Sequence, residues 1–292
     1  MAEMLGEPQS ANDYTDRTSA AVRSVLLEIG QTLASFRGKF AVIGGAVPWL
    51  LLADSEMKHV GTRDIDLSLN AEALAEDDEY ATLVGELRTQ GYAPREDRYF
   101  QMTRTIDPDD GGGPIDVIVD FLRPYDAVLE KNRPPLTTEF ATQRASGADL
   151  AIHFYKLVAI EGDMPRGGTN RALVAVASIP ALLAMKGYAL AGRYKQKDAY
   201  DVYYSIRNYP GGVEALAEDC RPVLEHRSGA EGFAHLAEKF DHPDGFGPTC
   251  VRQFVEGSDA AEDRTPDEWQ QDAFGQVDAL LRALGLRQAA EQ

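Results

Sequence analysis

Apolar residues recur at helical spacing through Val22, Val25, Leu26, Ile29, Leu33 and Phe36, which predicts an amphipathic helix covering a sheet. Phe40 to Ile43 is then a continuous apolar run and reads as a buried strand. Gly44-Gly45 reads as a turn, and Pro48 falls in the first turn of the helix that follows. In Asp64-Ile65-Asp66-Leu67-Ser68-Leu69 the period is two, so Asp64, Asp66 and Ser68 share one face of a strand. Ala71 to Thr89 reads as an acidic helix. Tyr99 to Ile106 alternates like a strand, and the turn-rich run Asp107 to Pro114 joins it to a second one, Ile115 to Leu122, forming a hairpin. Asp116 and Asp120 lie on one face of that second strand. Two more β segments are expected at 152–160 and 172–177, around a polar loop at 162–169. From Pro180 the pattern is helical. Leu182, Leu183, Lys186 and Leu190 ride a helix that Gly192 ends, and a last helix aligns Phe274, Val277, Leu280, Leu281 and Leu284. That last helix is expected to pack on its own domain. Residues 1–15 are polar and expected to be mobile, and 256–268 reads as an acidic loop. The fold class is α+β, with a mixed sheet flanked by helices over 1–178 and a mainly helical domain over 179–292.

The chemistry sits between the first two strands. Gly44-Gly45 is followed 19 residues later by Asp64-Ile65-Asp66. A glycine turn opening a helix presents backbone N–H groups to an anion. Two carboxylates on one strand face repel each other unless a cation lies between them, and hard oxygen ligands favour Mg²⁺. The turn and the pair together describe a site for an anion and a metal ion. Arg63, beside the pair, either neutralises a carboxylate or touches a phosphate.

This pattern resembles the nucleotidyltransferase superfamily that includes DNA polymerase β, whose signature is a Gly-Gly or Gly-Ser turn, an Asp-x-Asp pair and a third acidic residue on a neighbouring strand. The resemblance implies that fold for the sheet, Mg²⁺ as the metal, and a nucleoside triphosphate along Gly44, Gly45 and Arg63. Asp64 and Asp66 match the pair, and the third carboxylate is Asp116 or Asp120, with Asp116 favoured. Ala46 departs from the pattern, because many members carry Ser or Thr there to bond the triphosphate.

A second constellation narrows the family. Ile179 to Gly212 resembles the later motifs of the AbiEii-type toxin group, the nucleotidyltransferase toxins of abortive-infection and toxin–antitoxin systems, in which a lysine on one helix precedes a basic residue and Asp-x-x-Asp on the next. The matching positions are Lys186, Lys197, Asp198 and Asp201. The resemblance implies that Lys186 contacts the triphosphate and that Asp198 either orders Lys186 or accepts the proton of the attacking hydroxyl. It makes the 3′ end of tRNA the expected acceptor and a cognate antitoxin protein a partner. The helical domain is then expected to complete the site. A small-molecule nucleotidyltransferase of the aminoglycoside-modifying kind shares the core motifs and stays open as an alternative, as does a non-catalytic nucleotide- or partner-binding member of the fold.

Composition changes this picture in one respect. A net charge of −18 repels polyphosphates at long range, yet Lys186 to Arg207 carries +3 and five tyrosines, a strip that could hold phosphates and stack a base. Tyr203 and Tyr204 are expected instead to fill the interface between the domains. Cys220 and Cys250 offer no disulfide framework or metal spacing, and the five histidines at 59, 153, 226, 235 and 242 read as structural or surface residues. With no cleavable leader and no apolar run long enough to span a bilayer, the chain is expected in the cytoplasm.

Overall fold

The structure, a computed structural model, describes residues 8–36, 38–70, 79–108, 110–125, 142–261 and 264–288. These divide into two compact units, one holding 16–47 and 61–177, the other 8–15, 48–60 and 178–288. Residues 1–7, the first part of the expected acidic helix at 71–78, Asp109 of the hairpin tip and 262–263 of the acidic loop lie outside the described residues.

In the first unit, α1 (Asp16–Thr32) precedes β1 (Phe40–Ile43), α2 (Ala46–Leu51) and β2 (Asp64–Leu69), with the boundary between the units falling inside α2. Then come α3 (Glu79–Thr89), β3 (Ala93–Pro94), β4 (Gln101–Ile106), β5 (Ile115–Pro124), β6 (Gln143–Ala145), α4 (Leu150–His153), β7 (Tyr155–Asp163) and β8 (Thr169–Ala177). The sheet runs β3-β4-β5-β2-β1-β8-β7, with β6 beside β5. It is mixed, because β2 pairs with β5 and β1 with β8 in parallel while β1–β2, β4–β5 and β7–β8 are antiparallel. Alternation along β5 buries Ile115, Val117, Val119 and Phe121 on one face, beside Ile65 and Leu67 of β2. Glu28 of α1 pairs with Arg104 of β4 on that face at 2.8 and 3.2 Å, so α1 covers it. The carboxylates point to the other face.

The second unit contains α5 (Ile179–Gly192), α6 (Gln196–Arg207), α7 (Gly212–Glu225), α8 (Arg227–Lys239), α9 (Phe246–Val255) and α10 (Pro266–Ala283). Caps set two of these helices. Ser178 accepts from the Ala181 N–H at the start of α5, with Pro180 in the first turn. Thr265 and Glu268 form a reciprocal capping box on α10. A side chain on Gly187 of α5 would overlap the Gly232 carbonyl of α8, so glycine lets these helices approach closely. The core is aromatic, with Tyr200, Tyr203, Tyr204, Phe233, Phe240, Phe254 and Trp269 fully buried.

Three expectations need correction. Residues 150–153 form a helical turn, so the first of the late β segments starts at Tyr155, not at 152. The first hairpin strand starts at Gln101, because Arg98 and Gln101 close a backbone turn before it. Residues 8–15 are fixed rather than mobile, since Asn12 donates to the Gly257 carbonyl at 3.1 Å and Tyr14 packs edge-on against Phe254.

Candidate active site

The sheet assembles its polar residues as a rung. Ile43, the last residue of β1, stands opposite Asp66 in the antiparallel pair. The chain then turns at Gly44, whose φ of +70° is a left-handed conformation that side chains other than glycine's adopt at a cost. A Cβ on Gly44 would also fall within the Asp66 carboxylate. Two independent constraints thus require glycine next to Asp66. Gly45 completes the turn, and Arg63, half-buried, immediately precedes β2.

Asp66 is level with Asp120 of parallel β5, while Asp64 is level with Ile118. Directly opposed residues share a face, so Asp66 and Asp120 are neighbours across the strand gap. Asp116 lies two residues before that pairing begins, and its Oδ1 accepts from Thr105 of β4 at 2.6 Å. Asp64 Oδ1 accepts from Thr62 at 3.0 Å, which fixes its orientation. Farther along the same face, Ser68 donates to the Ala148 carbonyl at 2.8 Å and marks the closed end of the polar strip.

Sequence reasoning missed Gln101, which faces Asp120 across the antiparallel β4–β5 pair and is only 5% exposed. The signal was present: Gln101, Thr103 and Thr105 alternate as polar positions along β4 and line up with the face of Asp120 and Asp116.

Among the described residues no three His, Cys, Asp or Glu side chains close into a metal cage. Mg²⁺ is usually held by one or two carboxylates together with substrate phosphates, and Asp66 and Asp120, with Asp64 one step away, offer that set of hard oxygens.

The helical unit holds a separate network. Lys186 is buried, and its ammonium donates to Asp198 at 2.6 Å and to Asp201 at 2.7 Å. Burial alone would favour the neutral amine, but the two carboxylates hold Lys186 protonated, well above its ordinary range. Burial likewise pushes the Asp198 carboxyl up, yet Lys186 and Arg193 outweigh it and bring it to about 2. Arg193 bonds both Asp198 oxygens from a largely exposed position. Asp201 also accepts from Lys197 at 2.8 Å and contacts His59 at 3.0 Å. Burial and the Lys197 charge lower His59 to about 4 against the opposing pull of Asp201, so its ring is neutral at pH 7 and donates to the carboxylate. His59 packs on Tyr204 and Tyr200, and the Tyr204 hydroxyl donates to the Met57 carbonyl at 2.9 Å, within 2.6 Å of Ser55.

The basic, tyrosine-rich strip is therefore smaller than its sequence suggests. Lys186 and Lys197 are consumed by buried ion pairs, and Tyr200, Tyr203 and Tyr204 are core residues. Arg193, Arg207 and Tyr194 remain at the surface, with Lys195 half-buried. No helix among the described residues is long and apolar enough to cross a membrane.

Comparison with known proteins adds a family. The model of the family described as "Nucleotidyl transferase AbiEii toxin, Type IV TA system" matches residues 34–282. No curated protein matches. Among solved structures, a Helicobacter pylori protein provisionally titled a nucleotidyltransferase has a TM-score of 0.50 at 10% identity, with 94% of this chain and 100% of that one covered. JHP933 of Helicobacter pylori, also 10% identical, has a TM-score of 0.49 over 94% of this chain and 95% of its own. The architecture is α+β and nucleotidyltransferase-like.

Proposed function

The chain belongs to the AbiEii nucleotidyltransferase toxin family and is an enzyme of nucleotidyl transfer; from that premise we propose that it transfers a nucleotide from a nucleoside triphosphate to the 3′ end of tRNA, in the cytoplasm, in a Mg²⁺-dependent reaction that blocks translation. The observation that carries the reading is the rung of Gly44, Asp66 and Asp120 on one face of the sheet.

Asp64, Asp66 and Asp120 would hold the metal. Asp120 is preferred to Asp116 because it stands level with Asp66, whereas Asp116 is engaged by Thr105. Bound there, the metal would neutralise charge on the phosphates. The triphosphate would lie along Gly44-Gly45 with Arg63 nearby. The acceptor hydroxyl attacks the α-phosphorus and gives up its proton to water, the bond from that phosphorus to the bridging oxygen of the β-phosphate breaks, and pyrophosphate leaves with that oxygen. A carboxylate held at about pH 2 is a poor proton acceptor, so the role that fits Asp198 is to order Lys186. Lys186 uses two of its three N–H donors on Asp198 and Asp201, and the third suits a phosphate oxygen. As in other toxin–antitoxin systems, a cognate antitoxin would restrain the activity.

The test is to incubate the purified protein with total cellular RNA, Mg²⁺ and each labelled nucleoside triphosphate in turn. Labelled tRNA is expected. RNA left unlabelled by all four nucleotides, with an aminoglycoside nucleotidylated instead, would replace this reading by the small-molecule one.

A further inference from the structure

We infer that Gln101 is an acceptor-binding residue of this nucleotidyltransferase, whose side-chain amide hydrogen-bonds a hydroxyl on the group that receives the nucleotide. This rests on the transfer site proposed at Asp66 and Asp120. The strand registers place four positions on one rung: Ile43 at the edge of the glycine turn, then Asp66, Asp120 and Gln101. At the usual strand spacing, Gln101 stands about 5 Å from Asp120 and about 10 Å from Asp66. Thr103 and Thr105 continue the same polar face along β4.

Gln101 has a specific deficit. It is 5% exposed, and its Oε1 is buried without a hydrogen-bond partner among the described residues. A buried amide oxygen left unpaired is costly. The backbone hydrogen bonds of Gln101 are made, to Arg98 and Arg95, so the deficit lies in the side chain alone. A methionine or leucine would fill the same space without it. Such a residue on a carboxylate rung suits a ligand that brings its own hydrogen-bonding group.

The order along the rung says which ligand. In-line displacement requires the attacking oxygen and the leaving pyrophosphate on opposite sides of the α-phosphorus. The glycine turn lies at the Asp66 end, and the pyrophosphate proposed to lie along it would leave from there. The acceptor then comes from the Asp120 and Gln101 end. An amide, which both donates and accepts, fits a neutral hydroxyl-bearing group there, such as a ribose carrying the attacking hydroxyl, better than it fits a phosphate.

The test compares the full-length protein with its Gln101→Met and Gln101→Asn variants, using total cellular RNA as acceptor and a labelled nucleoside triphosphate. For Gln101→Met the RNA concentration at half-maximal labelling should rise about tenfold, the loss of one hydrogen bond. The half-saturating nucleotide concentration and the thermal protection given by Mg²⁺ with nucleotide should not change. Without ligands, Gln101→Met should melt at the wild-type temperature or above it. Gln101→Asn, which keeps the amide but shortens it, should fall between wild type and Gln101→Met. A lower melting temperature for unliganded Gln101→Met, or a shift in nucleotide rather than RNA half-saturation, would overturn the assignment, as would RNA labelling that matches wild type. A wild-type protein that labels no RNA would remove the transfer reading, and this inference with it.

Discussion

Asp66 and Asp120 stand level on adjacent parallel strands, two carboxylates on the face opposite the one that buries Ile65, Leu67, Val117, Val119 and Phe121. Like charges so placed repel, and a cation between them turns that repulsion into binding. Asp64→Asn, Asp66→Asn and Asp120→Asn should each reduce nucleotidyl transfer about a hundredfold or more while the fold persists. The metal-free proteins should melt no lower than wild type. Asp116→Asn should cost less than about tenfold. Parallel rate and melting measurements on the four variants check the assignment, and a larger loss for Asp116→Asn than for Asp120→Asn would reverse it.

Gly44 and Gly38 provide a controlled comparison. Both have positive φ, +70° and +85°, but a side chain on Gly38 meets nothing within 4 Å, whereas one on Gly44 meets Asp66. Gly38→Ala should cost about 1–2 kcal/mol of stability through backbone strain alone and leave activity unchanged. Gly44→Ala should cost more and also displace the Asp66 carboxylate, so transfer falls with it. Urea unfolding and initial rates on the two variants separate strain from steric displacement.

Lys186 sits between two buried carboxylates. Lys186→Ala leaves both partly uncompensated and should destabilise the protein by about 3–5 kcal/mol. Asp64→Asn should show no such loss. Measured well below the melting transition, Lys186→Ala should also gain less protection than wild type from Mg²⁺ with nucleoside triphosphate. Equal protection of the two proteins by nucleotide would take Lys186 out of phosphate binding.

His59 makes stability depend on pH in a defined direction. Its folded-state value, about 4, lies below the ordinary 6.5 because burial and Lys197 outweigh Asp201. Between those values the unfolded chain binds more protons, so stability is complete above pH 6.5 and is lost as pH falls towards 4. The loss should reach about 3 kcal/mol. Asp198, lowered to about 2, adds a second loss at lower pH. His59→Gln should flatten the upper phase and spare the lower one. Urea midpoints at a series of pH values, read as wild type minus variant, isolate the histidine.

The sequence by itself determined the local elements and the chemical type. Period-two alternation marked Asp64-x-Asp66 and the strand of Asp116 and Asp120, because the side chains of a pleated strand must alternate between faces. Proline and glycine punctuation located the turn after β1 and the ends of α5 for equally local reasons. The tertiary structure decided what depends on strand pairing and burial. Register set Asp120, and not Asp116, beside Asp66, and no local pattern encodes register between strands more than 50 residues apart; Gln101 joins the same rung only through its hairpin pairing with Asp120. Burial likewise turned Lys186, Lys197 and Asp201 from a solvent-facing basic strip into an interior network, with His59 from a distant loop as a further member. Helical spacing shows which residues share a face, but only packing shows whether that face meets water or another helix.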